Sequence, residues 1–77
     1  MIATEAVRKI MEDLGITNAK LASRIGTSNA VIYERLTQKN ISIKNLDQML
    51  AAMDYEIVLQ PRSSGRKPDG HYVIEGR

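Results

Sequence analysis

TNAKLASRIGTSNAVIYERLT, residues 17–37, is the stretch whose reading decides how this chain folds. Leu21, Ala22 and Ile25 fall at i, i+1 and i+4, an apolar stripe at helical spacing. Thr17 and Asn18 precede it, and their side-chain oxygens can accept from the orphan N–H groups of a first helical turn. Gly26 can take the positive φ that ends such a helix. Ser28 then caps a second helix, whose Val31, Ile32 and Leu36 turn inward. The expectation is two short helices, residues 18–25 and 29–38, across the turn Gly26-Thr27-Ser28.

Ala22 has a mechanical part in that expectation. A tight turn brings its two helices close together, and a bulky side chain at that spot would hold them apart. Two helices joined in this way form the helix-turn-helix pattern. With Leu21, Ala22, Ile25, Gly26, Ser28, Ile32 and Leu36 in their places, the segment resembles the DNA-binding unit of the Xre/Cro/phage-repressor transcription regulators. The resemblance covers residues 3–53. It implies a mainly α fold, a four-helix lambda-repressor-like helix-turn-helix domain, with residues 29–38 as the recognition helix.

Outside that unit, residues 4–14 read as a first helix. Thr4 is its expected N-cap, Glu5 suits the positive end of the helix dipole, and Val7, Ile10, Met11 and Leu14 form its core face. Gly15 ends it and Ile16 packs beneath the turn, while Arg8 and Lys9 face solvent. Ser42 caps a fourth helix over residues 43–53, with Ile43, Leu46, Met49, Leu50 and Met53 as its stripe. After Asp54 the period changes. Residues 55–60, YEIVLQ, are β-branched and near-alternating, a strand ended by Pro61. Residues 62–70, RSSGRKPDG, form a basic loop, and residues 71–75, HYVIE, a second strand. The chain thus divides into a DNA-binding domain, residues 1–54, and a β extension, residues 55–77.

Seventy-seven residues make one small domain whose core by itself gives marginal stability. With no cysteine and a single histidine, His71, neither disulfides nor a multi-histidine metal site can staple it. There is no Gly-rich phosphate loop, so an enzyme is not expected and no cofactor is called for. No stretch is apolar enough to span a bilayer or to serve as a secretory leader, which points to a cytoplasmic protein with no membrane partner.

The net charge of +2 is too small to argue a polyanionic partner, but its distribution is informative. Residues 17–45 hold Lys20, Arg24, Arg35, Lys39 and Lys44 against Glu34 alone. Residues 46–60 hold Asp47, Asp54 and Glu56 and no base. Positive charge concentrated on the helix-turn-helix and its flanks is the footprint of a phosphate-binding face; the ordinary alternative is a solvated surface.

The resemblance assigns roles residue by residue. Ser28, Asn29, Ala30, Tyr33, Glu34 and Thr37 are the outward positions that meet base edges. Asn29 can bond bidentately to an adenine, Ala30 can meet a thymine methyl, and Glu34 can accept from a cytosine amine. Tyr33 reaches a phosphate or a thymine, or else packs over a neighbouring helix. Glu34 alternatively pairs with a base on the next turn. Thr17, Asn18 and Lys20 at the start of residues 18–25, together with Lys39 and Lys44, are placed for phosphates. Asn18 stands where the family usually has a phosphate-clamping Gln, and capping the helix is its other role. One departure is Arg35, where the family has an apolar residue; Leu36 fills the core slot and Arg35 lays its stem along the core. Arg62, Arg66 and Lys67 loosely resemble basic arms that enter minor grooves, against the simpler reading of a solubilising loop.

A lone two-stranded hairpin is marginal in water and leaves an open apolar edge. Tyr55, Ile57, Val58, Leu59, Tyr72 and Ile74 are therefore expected to pair across a two-fold with a second copy, as in certain antitoxin repressors that this extension resembles. The functional expectation is a homodimeric repressor of bacterial or phage origin, from a prophage, mobile element or toxin–antitoxin locus, reading double-stranded DNA. The alternative is an antitoxin acting mainly by protein contacts on a toxin partner.

Overall fold

In the computed structural model, which describes residues 1–61 and 72–74, four helices precede a two-stranded antiparallel sheet: α1 (Ala3–Leu14), α2 (Asn18–Ile25), α3 (Asn29–Leu36), α4 (Ile43–Ala51), β1 (Ile57–Leu59) and β2 (Tyr72–Ile74). The core is a single cluster. Val7 and Met11 of α1, Leu21 and Ala22 of α2, Ile32 and Leu36 of α3, and Met49 and Leu50 of α4 are all buried, with Ile16 and Met53 closing its ends. Ala22 is buried close to the Gly26 turn, as a close approach of α2 and α3 demands.

Three helices close themselves. At the end of α1, Gly15 takes φ 68°, Ile16 donates its N–H to the Met11 carbonyl at 2.8 Å, and Gly15 donates to Glu12. Gly26 takes φ 86° after α2, and Thr27 donates to the Ala22 carbonyl at 2.9 Å. After α4 the turn runs on to Asp54, which takes φ 64° while Tyr55 donates to the Leu50 carbonyl at 2.9 Å. Each is a Schellman-type closure around a left-handed residue. Asp fills that place at α4 because its short polar side chain tolerates the left-handed region better than most.

α3 ends differently. Its C-cap, Thr37, stays right-handed, so no left-handed closure forms; the Thr37 and Gln38 N–H groups donate to the Glu34 and Arg35 carbonyls, each at 3.2 Å. Thr37 Oγ1 donates back to the Glu34 carbonyl at 2.7 Å, and the remaining acceptors are met from α1. Thr4 Oγ1 donates to the Gln38 carbonyl at 2.9 Å, and Arg8 Nη2 to the Leu36 carbonyl at 3.2 Å.

These bonds correct several expectations. Thr4 is not an N-cap: α1 begins one residue earlier, Ile2 is the cap, and Thr4 lies 2% exposed with its hydroxyl committed to residue 38. Glu5 still serves the helix start, its Oε1 accepting from the Ile2 N–H at 2.8 Å. Arg8, expected merely to face solvent, also braces α3. Thr17 alone caps α2, its Oγ1 accepting from the Lys20 N–H at 3.1 Å, while Asn18 is the first helical residue. Ser28 and Ser42 cap α3 and α4 as expected. α3 stops at Leu36 rather than at 38, and α4 at Ala51 rather than at 53.

Leu14, Val31 and Ile43, assigned inward faces, are exposed. Leu14 and Ile43 lie on their helices' apolar stripes but at the ends, where α1 and α4 run past their packing partners. Val31 is a different case. At about 100° per residue it sits a quarter-turn or more off the Ile32–Leu36 line.

β1 and β2 pair with Ile57 opposite Ile74, Val58 opposite Val73 and Leu59 opposite Tyr72. Directly opposed residues share a face, so Ile57, Leu59, Tyr72 and Ile74 form one side and the two valines the other. Ile57 packs against the core and anchors β1. Both strands are shorter than the stretches expected, and His71 and Glu75 lie outside the described residues.

Candidate nucleic-acid interface

The site is built on α3. Its apolar stripe is only Ile32 and Leu36, one turn apart, both buried. Two side chains suffice to hold two turns of helix because α1 and α2 both pack against α3. Everything else the helix offers is on the outside. Ser28, Asn29, Ala30, Tyr33, Glu34 and Thr37 are all exposed, Tyr33 at 63%. Tyr33 therefore does not lie over a neighbouring helix.

Azimuth alone does not explain this set. Ala30, Glu34 and Thr37 point away from the Ile32–Leu36 line, as the helical wheel requires. Asn29, about 60° from Ile32, belongs to the inward side. It is wet because it is the first residue of α3, at a tip that its neighbours leave uncovered. Val31, which the periodic reading turned inward, joins the exposed front instead. The signal that could have found it was in the sequence: Ile32 and Leu36 define a stripe that excludes it.

The basic residues divide by type. Arg24 Nη1 donates to the Ala52 carbonyl at 3.1 Å, closing α4 from α2. Arg35 is half-buried, and its Nη1 donates to Gln48 Oε1 at 2.6 Å, tying α3 to α4. Arg8 holds the end of α3. A guanidinium at a helix C-terminus is doubly suited, through its fork of N–H donors and through the negative end of the dipole. The arginines therefore serve the fold. Lys20, Lys39 and Lys44 are exposed, in the first turn of α2, in the loop after α3 and in the first turn of α4. Thr17 is also exposed, while Asn18 is half-buried and lines a groove of about 260 Å³ with Arg8, Met11, Glu12, Ile16 and Leu36. Arg62, Arg66 and Lys67 lie outside the described residues.

The described part of the extension carries a run of exposed apolar side chains. Leu59 is 53% and Tyr72 69% exposed on one face of the hairpin, Val58 and Val73 are exposed on the other, and Tyr55 is exposed ahead of β1. Ile57 and Ile74 are half-buried.

Among the described residues no group of three or more His, Cys, Asp or Glu side chains could hold a metal ion. No helix among them is long and apolar enough to cross a membrane. No protein-family model, curated protein or solved structure matches the chain.

Proposed function

We propose that this chain is a sequence-specific, double-stranded-DNA-binding transcription regulator of the Xre/Cro type, with α2 and α3 as its helix-turn-helix. The observation that carries the reading is the division of labour on α3. Two residues anchor it, and every candidate base-reading position is solvent-exposed. Three exposed lysines on the adjoining segments supply the sequence-independent attraction to phosphate. A short helix with a polar, uncovered N-terminal half is the shape that a major groove accepts.

Selection from random duplexes at low salt tests the reading, since it yields a consensus only if base edges are read. Absence of any complex would sink it. Lys39→Ala should weaken binding to every duplex alike and lower the slope of log K against log salt by about one unit per protomer. Arg24→Ala should lower thermal stability and leave that slope unchanged, because its guanidinium is spent on the Ala52 carbonyl.

The functional unit in this reading is a homodimer. A two-stranded sheet leaves each strand one open edge, and this one exposes Leu59 and Tyr72 beside it. Pairing along one edge about a two-fold satisfies that edge and extends the apolar face, and two copies of α3 reading successive major grooves must stand roughly 34 Å apart, one turn of duplex. The operator is then a pseudo-palindrome. Sedimentation equilibrium should return twice the chain mass, and Leu59→Lys should return the chain mass itself. A wild-type monomer at all concentrations would remove the dimer. The hairpin's apolar face also suits the rival reading, an antitoxin that works by protein contacts. That reading predicts no consensus in the duplex selection.

A further inference from the structure

We infer that Thr4 is a positioning residue for DNA binding, acting from α1 through the Gln38 carbonyl to fix the backbone that carries Lys39; this rests on the reading of Lys39 as a phosphate contact. Three observations converge on it. The hydroxyl of Thr4 is 2% exposed and donates across 34 residues of chain to Gln38, although a Thr at a helix start ordinarily serves its own helix. The acceptor is the carbonyl of the peptide unit that joins Gln38 to Lys39. That unit is planar, so holding its oxygen also orients the Lys39 nitrogen and Cα. The same residue is held from its other side, the Gln38 N–H donating to the Arg35 carbonyl at 3.2 Å.

Backbone bonding secures nothing further before Ser42, and the next hold on the loop is the side chain of Ile41, half-buried against the core. Among the described residues no backbone hydrogen bond involves residues 39–41, and the next anchored backbone group is the Ser42 carbonyl, which accepts from Leu46. α3 lacks the left-handed closure that terminates the other three helices, so its exit direction is held locally only by the bonds of residues 37 and 38 back to Glu34 and Arg35. The Thr4 bond sets it from outside. Without that bond the first residue of the loop can rotate, and a lysine that must meet a phosphate at a fixed distance loses its register. A purely structural donor would leave the salt slope of the folded variant unmoved, and the test separates the two.

Thr4→Val keeps the volume and removes the donor; Thr4→Ser keeps the donor. Binding to a duplex of the selected consensus is measured from low to moderate salt, with Val7→Ala as a control destabilised without touching the loop. Thr4→Val should lower the salt slope by about one unit per protomer, as Lys39→Ala does. It should add nothing further in a Lys39→Ala background, and Thr4→Ser should restore the wild-type slope. If Thr4→Val is unfolded, the series is run with enough trimethylamine N-oxide to recover the wild-type circular dichroism. A wild-type slope in folded Thr4→Val, or slope losses that add in the double variant, overturns the inference while leaving Lys39 in its role. An unchanged slope in Lys39→Ala itself overturns the phosphate contact, and Thr4's part with it.

Discussion

Ile32→Ala is expected to cost about 2–5 kcal/mol of folding stability. Ile32 has no exposed surface, and with Leu36 it forms the whole apolar stripe of α3. The loss combines the transfer free energy of the deleted methyl and methylene groups with the cavity left in the single core cluster. A chain of this size has about 4–12 kcal/mol in total, so the variant should be partly unfolded at physiological temperature. Urea denaturation measures it directly. Ile32→Val, which removes one methylene, should cost about 0.5–1.5 kcal/mol. If Ile32→Ala cost under 1 kcal/mol, α3 would have to be held by something other than its two inward side chains. DNA binding should fall with the folded fraction, because Leu36 is then the one buried apolar side chain left on α3.

Asn29→Ala should do the reverse, leaving stability within about 0.5 kcal/mol and removing about 1–3 kcal/mol of discrimination at one base pair of each half-site. The stability side follows from exposure: Asn29 opens α3, and the capping oxygen belongs to Ser28. The specificity side follows from the amide's pairing of one donor with one acceptor, the complement of adenine's N7 and N6 in the major groove. Competition binding against duplexes varied at each position gives the answer. Equal weakening on all sequences would mean that Asn29 touches backbone rather than bases.

The contrast between these two residues shows what helical periodicity can and cannot carry. Spacing identifies direction around an axis, so Val7, Met11, Leu21, Ile32, Leu36, Met49 and Leu50 were legible as core. It does not say how far along the axis a neighbour extends. Leu14 and Ile43 lie on the right line and are wet, because they sit where α1 and α4 outrun their partners. Asn29 is exposed for the same reason, and there the projecting tip creates the candidate site. Val31 was a misreading of a spacing already present in the sequence.

Charge was legible in amount and not in assignment. Arg24, Arg35, Lys20, Lys39 and Lys44 contribute alike to a basic segment on paper. A guanidinium can reach a carbonyl on another helix and hold it with a directed bond, and among the described residues the exposed ammoniums are not used in that way. Which base meets which carbonyl depends on helix ends distant in the chain, as Arg8 does with Leu36 and Arg24 with Ala52.

Local chemistry determined the elements themselves. Ser28, Ser42 and Thr17 start helices, Gly15 and Gly26 stop them, and the switch to alternating β-branched residues after Asp54 begins a strand, because each signal acts within a few residues of backbone. Tertiary structure alone decided how α3 ends. With no left-handed residue at its close, the Leu36 carbonyl and the Gln38 carbonyl just beyond it depend on Arg8 and Thr4, brought from α1 by the burial of Val7 and Met11 in the same core as Ile32 and Leu36. A bond between residues 34 apart exists only once the core has formed, and no local pattern encodes it.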